Sequence, residues 1–306
     1  MLKQTTSQLL MVRPVCFAFN EETAGNNAFQ QRSESTTANG LQRQAVKEFD
    51  AYVALLRQNG VGVTVVDDTP KPFTPDSIFP NNCFSTHHDD TGNTLVLYPM
   101  YAANRREERE KLRPMLMRMP FDKVIDLTHW EDEGHYLEGT GSLILDRQRH
   151  RAYACRSPRT HEEVVADWAR QMHYDYLLFD SVDEAGTAVY HTNVVMHIGT
   201  HTAVVCLDSI KDNGQRARLL RSLEDCGKEV VPVTLSQVHR FAGNMLEVHD
   251  SGGEPLLVMS ATARQSLTPA QLDILSRHTR IVAPDIHTIE TIGGGSARCM
   301  IAEIFQ

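Results

Sequence analysis

The chain has 306 residues, of which 41% are hydrophobic and 23% charged, and its net charge is −9. That length buries a large core, in one big α/β domain or two smaller ones. Acids and bases are interspersed with no basic patch, which argues against a nucleic-acid partner, and no run approaches the roughly 18 consecutive apolar residues of a membrane span.

Met1 to Gln8 lacks the charged and apolar regions of a signal peptide. A cytoplasmic protein with no membrane partner is therefore expected. The segment Val12 to Asn20 reads as an N-terminal strand, and the polar stretch Glu21 to Asn39 as a lid loop. A helix from about Leu41 to Gln58 carries apolar residues at helical spacing. The alternating, β-branched run Val61 to Val66 reads as a strand. The next unit opens with Asp76-Ser77-Ile78-Phe79-Pro80-Asn81-Asn82. It continues through a strand at Thr94–Tyr98, a charged helix at Arg105–Met119 and a strand at Lys123–Leu127.

The same order then recurs. Tyr136–Asp146 pairs with Arg151–Cys155 ahead of a helix to Met172 and a strand at Tyr176–Phe179. Val189–Ile198 pairs with Thr202–Leu207, ahead of a helix to Asp225 and a strand at Glu229–Val233. Asn244–His249 pairs with Pro255–Ser260, ahead of a helix at Pro269–Arg277 and a strand at Arg280–Val282. A lone strand, Ala297–Ile304, ends the chain. Each unit is strand–strand–helix–strand. The last strand lacks what the N-terminal segment supplies, so joining them gives a fifth unit. The expected fold is a single α/β domain over residues 1–306, a five-bladed propeller of ββαβ units closed by its two chain ends, with no open sheet edge.

Asn82, Glu138, His191, Asn244 and Cys299 fall at matching positions, spaced 56, 53, 53 and 55 residues apart. In a ring, the first strands face the axis, so these five side chains would share one central cavity. The six cysteines show no CxxC pairing and no zinc-like spacing with His, so no metal is expected. Cys16, Cys155 and Cys206 lie in apolar runs and read as small hydrophobes. Cys299 differs. It follows Gly293-Gly294-Gly295, which would let backbone approach a ligand, and Arg298, a cation that would favour a thiolate. Cys299, His191 and Glu138 together make a nucleophile, an acid/base and a carboxylate that orients it.

These motifs resemble those of the guanidino-group-modifying superfamily, which holds arginine deiminases, dimethylarginine dimethylaminohydrolases, agmatine deiminases, peptidylarginine deiminases and amidinotransferases. The similar segments are Gly293 to Met300, Leu137-Glu138-Gly139-Thr140-Gly141, Tyr190-His191-Thr192-Asn193 and Asp76 to Asn82. Arg156-Ser157-Pro158-Arg159-Thr160 resembles a motif that supplies a substrate-contacting arginine. Val12-Arg13-Pro14, Phe17 to Asn20 and Asn26 to Gln30 look like a bacterial branch labelled amidinotransferase-like or citrulline-utilisation hydrolase. The resemblance implies a five-bladed propeller, a catalytic Cys299, His191 and Glu138, and a substrate site that includes Asp76, Asn82, Arg159, Asn193 and Asn244. No cofactor is implied.

Two departures point to the substrate. Arginine deiminases clamp the guanidinium with carboxylates where this chain has Asn82 and Asn193. An amide is neutral and both donates and accepts, which suits a ureido group. Burying a guanidinium against two amides would leave its charge paired by Glu138 alone. The strand Leu97 to Met100 also lacks the arginine that holds the substrate carboxylate in dimethylargininases, leaving Arg159, with Arg105 or Arg106 as substitutes. The expected partner is a small guanidino or ureido amino acid, with citrulline hydrolysis ahead of deimination of arginine or methylarginine, amidino transfer or a non-catalytic binding propeller. The sequence is compatible with a homo-oligomer and does not fix one.

Overall fold

The structure, a computed structural model, describes residues 3–32 and 37–305. Helix α1 (Ala38–Gln58) joins the parallel strands β1 (Gln8–Arg13) and β2 (Gly62–Asp67). Thr37 caps α1 by accepting from the Gly40 N–H, and the face Ala45, Phe49, Tyr52, Val53 and Leu56 is buried. Each large apolar side chain on that face contributes roughly 1.5–3 kcal/mol of transfer free energy.

The second unit is β3 (Phe84–Asp89), β4 (Gly92–Leu97), α2 (Ala103–Leu116) and β5 (Lys123–Asp126). The third is a one-turn helix α3 (Gly139–Ser142), β6 (Ile144–Asp146), β7 (Arg151–Cys155), α4 (Glu162–Met172) and β8 (Asp175–Phe179). The fourth is a one-turn helix α5 (Thr192–Val195), β9 (Met196–Ile198), β10 (Thr202–Val205), α6 (Asn213–Asp225) and β11 (Glu229–Pro232). A short α7 (Leu235–Val238) leads to β12 (Leu246–His249) and β13 (Pro255–Val258). Then come α8 (Ala261–Ser266), α9 (Pro269–Ser276), β14 (Arg280–Val282), α10 (His287–Gly293) and β15 (Ala302–Glu303).

Every sheet has three strands, the first antiparallel to the second and the second parallel to the third across a helix. The N- and C-terminal strands share a sheet in the order β15-β1-β2, with Leu9 opposite Glu303 and Leu10 opposite Ala302. The cores lie between neighbouring units. Trp168, Val164 and Val165 of α4 pack with Val96 and Tyr98 of the preceding unit, and Leu10 and Ala302 pack with Phe84 and Leu95.

Several boundaries differ from expectation. The N-terminal strand is Gln8–Arg13 rather than Val12–Asn20, because Leu9 to Val12 supply the buried run and Pro14 ends it. Cys16 accordingly lies outside any strand and is partly exposed. Part of the polar loop, residues 33–36, lies outside the described residues. The five recurring polar residues are not on the first strands but on the turns that lead into them. Asn82 ends the 3₁₀ turn Pro80–Asn82, Glu138 and His191 precede the one-turn helices α3 and α5, and Asn244 and Cys299 sit two or three residues before β12 and β15. Gly139, at φ +48°, makes the turn after Glu138, and a Cβ there would meet the Asn81 and Asn82 carbonyls.

Candidate active site

Cys299 is held in a turn by its N–H on the Ser296 carbonyl (3.0 Å), and its side chain is buried. The sulfur receives two amide donors, Asn193 Nδ2 at 3.4 Å and Asn244 Nδ2 at 3.2 Å. Asn244 is oriented for this, because its Oδ1 accepts the Arg298 N–H at 3.0 Å, leaving its NH2 to face the sulfur. Donors on a buried sulfur are matched to negative charge there. Arg298 does not set its positive charge against the sulfur by direct contact. Its guanidinium donates to the Ile301 carbonyl and to Glu303.

The glycine run also works differently from its sequence reading. A Cβ on Gly293 or Gly295 would lie 2.8–2.9 Å from carbons of the Phe79 ring, so close packing on that ring requires glycine. Gly294, at φ +66°, caps α10 and lies under Asn27 and Gln30.

His191 Nε2 lies 2.7 Å from Glu138 Oε2. Turn α5 is pinned behind it, with Thr192 Oγ1 donating to the Ser142 carbonyl at 2.6 Å and accepting the Cys155 N–H at 2.8 Å. Burial pulls the imidazole down to about 4, against the opposing hydrogen bond and charge of Glu138. Burial alone would raise Glu138. The charge of Arg159, the His191 hydrogen bond and Arg105 outweigh it and hold the carboxyl well below its ordinary value. An ionised Glu138 can only accept, so the His191 proton resides on Nε2 and Nδ1 keeps a lone pair. Glu138 Oε1 also accepts the Tyr101 N–H at 3.0 Å.

Arg159 is buried, its Nη1 lies 3.5 Å from Glu138 Oε2, and its guanidinium sits 4.8 Å from the Tyr190 ring centroid. It also donates to the Asn26 side chain and the Thr23 carbonyl. Asp76 accepts from Asn20 Nδ2 at 2.7 Å, and burial raises its carboxyl. The segment Asn20–Gln30 therefore lies across the site and is held there by directional polar contacts to Arg159 and Asp76. Arg105 is buried rather than arranged for a substrate carboxylate. It forks onto Glu108, donates to the Phe79 carbonyl at 3.2 Å and to Asn82 Oδ1 at 2.9 Å. Arg106 is taken up by the Met100 carbonyl at 3.1 Å.

The candidate residues thus form connected groups. Asn193 and Asn244 surround Cys299, and His191 and Arg159 meet on Glu138. Arg105 joins Asn82 to Asp76 (3.9 Å) and Glu138 (3.8 Å). Gly141 lies between Asn82 and His191, where a Cβ would meet Asn82 Nδ2 and lie 2.8 Å from His191 Nδ1. Among the described residues, ten buried side-chain polar atoms have no partner, and three of them belong to candidate site residues: Asn82 Nδ2, Asn193 Oδ1 and Asp76 Oδ1. Buried polar atoms left unpaired cost free energy, so these three are open to a polar ligand. Among the described residues, no group of three or more His, Cys, Asp or Glu could hold a metal ion, and no helix is long and apolar enough to cross a membrane.

The family profile described as N,N dimethylarginine dimethylhydrolase, eukaryotic, matches residues 13–306. The chain belongs to this family. It is thereby a member of the guanidino-modifying, amidinotransferase-like superfamily and of a group of hydrolases acting on C–N bonds other than peptide bonds. No curated protein matches the chain by sequence.

Solved structures share its fold. The substrate-bound N-terminal domain of ArgZ, an arginine dihydrolase from the ornithine-ammonia cycle in cyanobacteria, is 16% identical with a TM-score of 0.76, over 98% of each chain. A variant of AgrE in binary complex with L-arginine is 15% identical with a TM-score of 0.74, and the match covers 98% of this chain and 40% of AgrE. A dimethylarginine dimethylaminohydrolase adduct with S-methyl-L-thiocitrulline is 14% identical with a TM-score of 0.66, over 99% of this chain and 100% of that one. Relative to this dimethylhydrolase family, sequence reasoning missed Asn20, Thr23 and Tyr101 as direct partners of Asp76, Arg159 and Glu138. Asn20 stood within a recognised motif, whereas a backbone donor such as the Tyr101 N–H has no sequence signal.

Proposed function

We propose that the protein is a cysteine-dependent hydrolase that converts citrulline to ornithine, ammonia and carbon dioxide. The observation that carries this reading is a pair of buried amides, Asn193, which donates to Cys299, and Asn82, which faces Gly141 beside His191. Asn82 offers an unpaired NH2 and Asn193 an unpaired carbonyl oxygen, while Glu138 is already paired by His191, Arg159 and Arg105. A ureido group needs a donor for its carbonyl and an acceptor for its NH2. A guanidinium has no acceptor and would bring a further cation to Glu138.

In this scheme His191 Nδ1 takes the Cys299 proton and the thiolate attacks the ureido carbon. The negative charge on the carbonyl oxygen is met by Asn82 Nδ2. The C–N bond to the δ-amine breaks as the His191 imidazolium, stabilised by Glu138, returns the proton to that nitrogen and releases ornithine. A carbamoyl thioester remains on Cys299. Water, deprotonated by His191, adds to its carbon, the C–S bond breaks, and the thiol is reprotonated. The carbamate released falls to ammonia and carbon dioxide. Arg159 holds the substrate carboxylate after exchanging its Asn26 contact, and segment 20–32 moves aside to admit substrate.

One observation favours a second reading, in which arginine is deiminated first at the same site. Asp76 Oδ1 is a buried carboxylate oxygen with no partner, and it would accept from a guanidinium. Separate incubations with citrulline and with arginine, with products identified by mass, test both. Citrulline accumulating from arginine, with added citrulline untouched, would refute the ureide assignment. The fold reading extends similarly. The five sheets form one closed five-bladed ring, a single catalytic domain, supported by the β15–β1 pairing.

A further inference from the structure

We infer that Arg105 sets the substrate class of this site by locking the Asn82 amide with its NH2 toward the substrate, so that position 82 can receive a carbonyl oxygen but not an N–H; this rests on the ureide reading above. The sequence reading of Asn82 treated it as a group that both donates and accepts. The structure removes that freedom. Arg105 Nη1 lies 2.9 Å from the outer end of the amide. A guanidinium has no acceptor, so the atom facing it must be the amide oxygen, whichever way the amide is drawn. What remains is Nδ2, buried, unpartnered, and directed at the space beside Gly141 and His191 Nδ1.

Arg105 has no freedom of its own with which to release the lock. Its Nε and Nη2 are on Glu108 at 3.0–3.2 Å, its Nη2 also on the Phe79 carbonyl at 3.2 Å, and its side chain is 3% exposed. It also stands 3.8 Å from Glu138 Oε2 and 3.9 Å from Asp76 Oδ2, where it takes up negative charge that a substrate guanidinium would need. One residue thus acts twice against a cationic substrate. It turns Asn82 into a donor, and it already pairs the nearby carboxylates. Arg105 touches neither the reacting atoms nor, in this scheme, the substrate, and is a positioning residue.

The test is calorimetric binding of citrulline and of arginine to Cys299→Ala, which cannot turn either over, and to Cys299→Ala/Arg105→Met. Removing half of a buried pair endangers folding, so the same measurement is made in Cys299→Ala/Arg105→Met/Glu108→Met, where both halves become apolar. The parent should bind citrulline the more tightly. In the Arg105 variants that preference should shrink by about tenfold or more, the worth of one hydrogen bond and its orientation, with arginine affinity rising. A preference that survives unchanged in both variants would overturn the role of Arg105 and leave the ureide reading intact. A parent that prefers arginine would overturn the ureide reading, and this role with it. A purely structural Arg105 would weaken both ligands together and leave their ratio alone.

Discussion

Replacing Gly141 by alanine adds one methyl group at the centre of the proposed site and nothing elsewhere. Gly141 lies in turn α3, and its backbone is not in the left-handed region, so the conformation suits alanine. In a helical turn that change favours folding by about 1 kcal/mol. The cost falls on the site. The new Cβ would lie 2.8 Å from His191 Nδ1 and 2.9 Å from His191 Cε1, and nearer still to Asn82 Nδ2.

Ordinary contact distances require each group to retreat by roughly half an ångström or more, and misplacing a catalytic group by about 1 Å can cost on the order of 10²-fold in rate. Asn82 cannot simply rotate away, because Arg105 holds it from behind. We expect Gly141→Ala to keep the wild-type far-UV spectrum, to set an overpacking cost of about 1–3 kcal/mol against the helical gain, and to lose about 10²-fold in kcat/KM for citrulline. A variant that is both well folded and near wild type in turnover would refute the placement of Asn82 and His191 in the reaction.

Other consequences follow from the same geometry. Cys299→Ala should fold and have no turnover, with stability reduced by about 1–3 kcal/mol because the Asn193 and Asn244 amides lose their acceptor; chemical denaturation and product mass check both halves. Glu138→Gln keeps the shape beside His191 but not the charge, and kcat should fall by about 10²–10⁴-fold. Because burial lowers His191 from 6.5 to about 4, its base form persists well below pH 6 in the free enzyme, so the acid limb of kcat/KM should lie nearer pH 4 than 6.5. The same shift makes the unfolded chain bind the proton first. The His191 contribution to stability is therefore complete above pH 6.5, is lost as pH falls toward about 4, and changes no further below that. Denaturant midpoints between pH 7 and 4 read this out, and a His191 contribution that grows on acidification would contradict it.

Much of the frame was legible before any coordinates. The recurrence of a polar residue every 53–56 positions reflects five like units, each with a turn that leads into its first strand. The β15–β1 pairing is what the incomplete first and last units required. Sequence pattern misplaced the five residues by one level of structure. Tyr136–Asp146 and Val189–Ile198 read as strands, yet half of each is a tight turn whose backbone bonds close locally on Glu138, Gly139 and His191. Periodicity reports which side chains are buried, and a buried turn satisfies the same pattern as a buried strand.

Arg105 was named only as a substitute for holding the substrate carboxylate, and its buried contacts to Asn82 and Glu108 were hidden for a related reason. A helix of Arg, Glu and Lys reads as a solvated face, and only tertiary packing shows that Arg105 and Glu108 point inward while Glu107 and Glu110 do not. The glycine run was legible as close approach but not as to what approached. Phe79 lies more than two hundred residues away in sequence, and no local signal connects them.

The central claim is that the site takes a neutral ureide and releases ornithine. Mass analysis of the wild-type protein incubated with citrulline alone tests it most directly. The account predicts ornithine and ammonia in equal amounts, abolished in Cys299→Ala. Citrulline recovered intact by an enzyme that consumes arginine would contradict it.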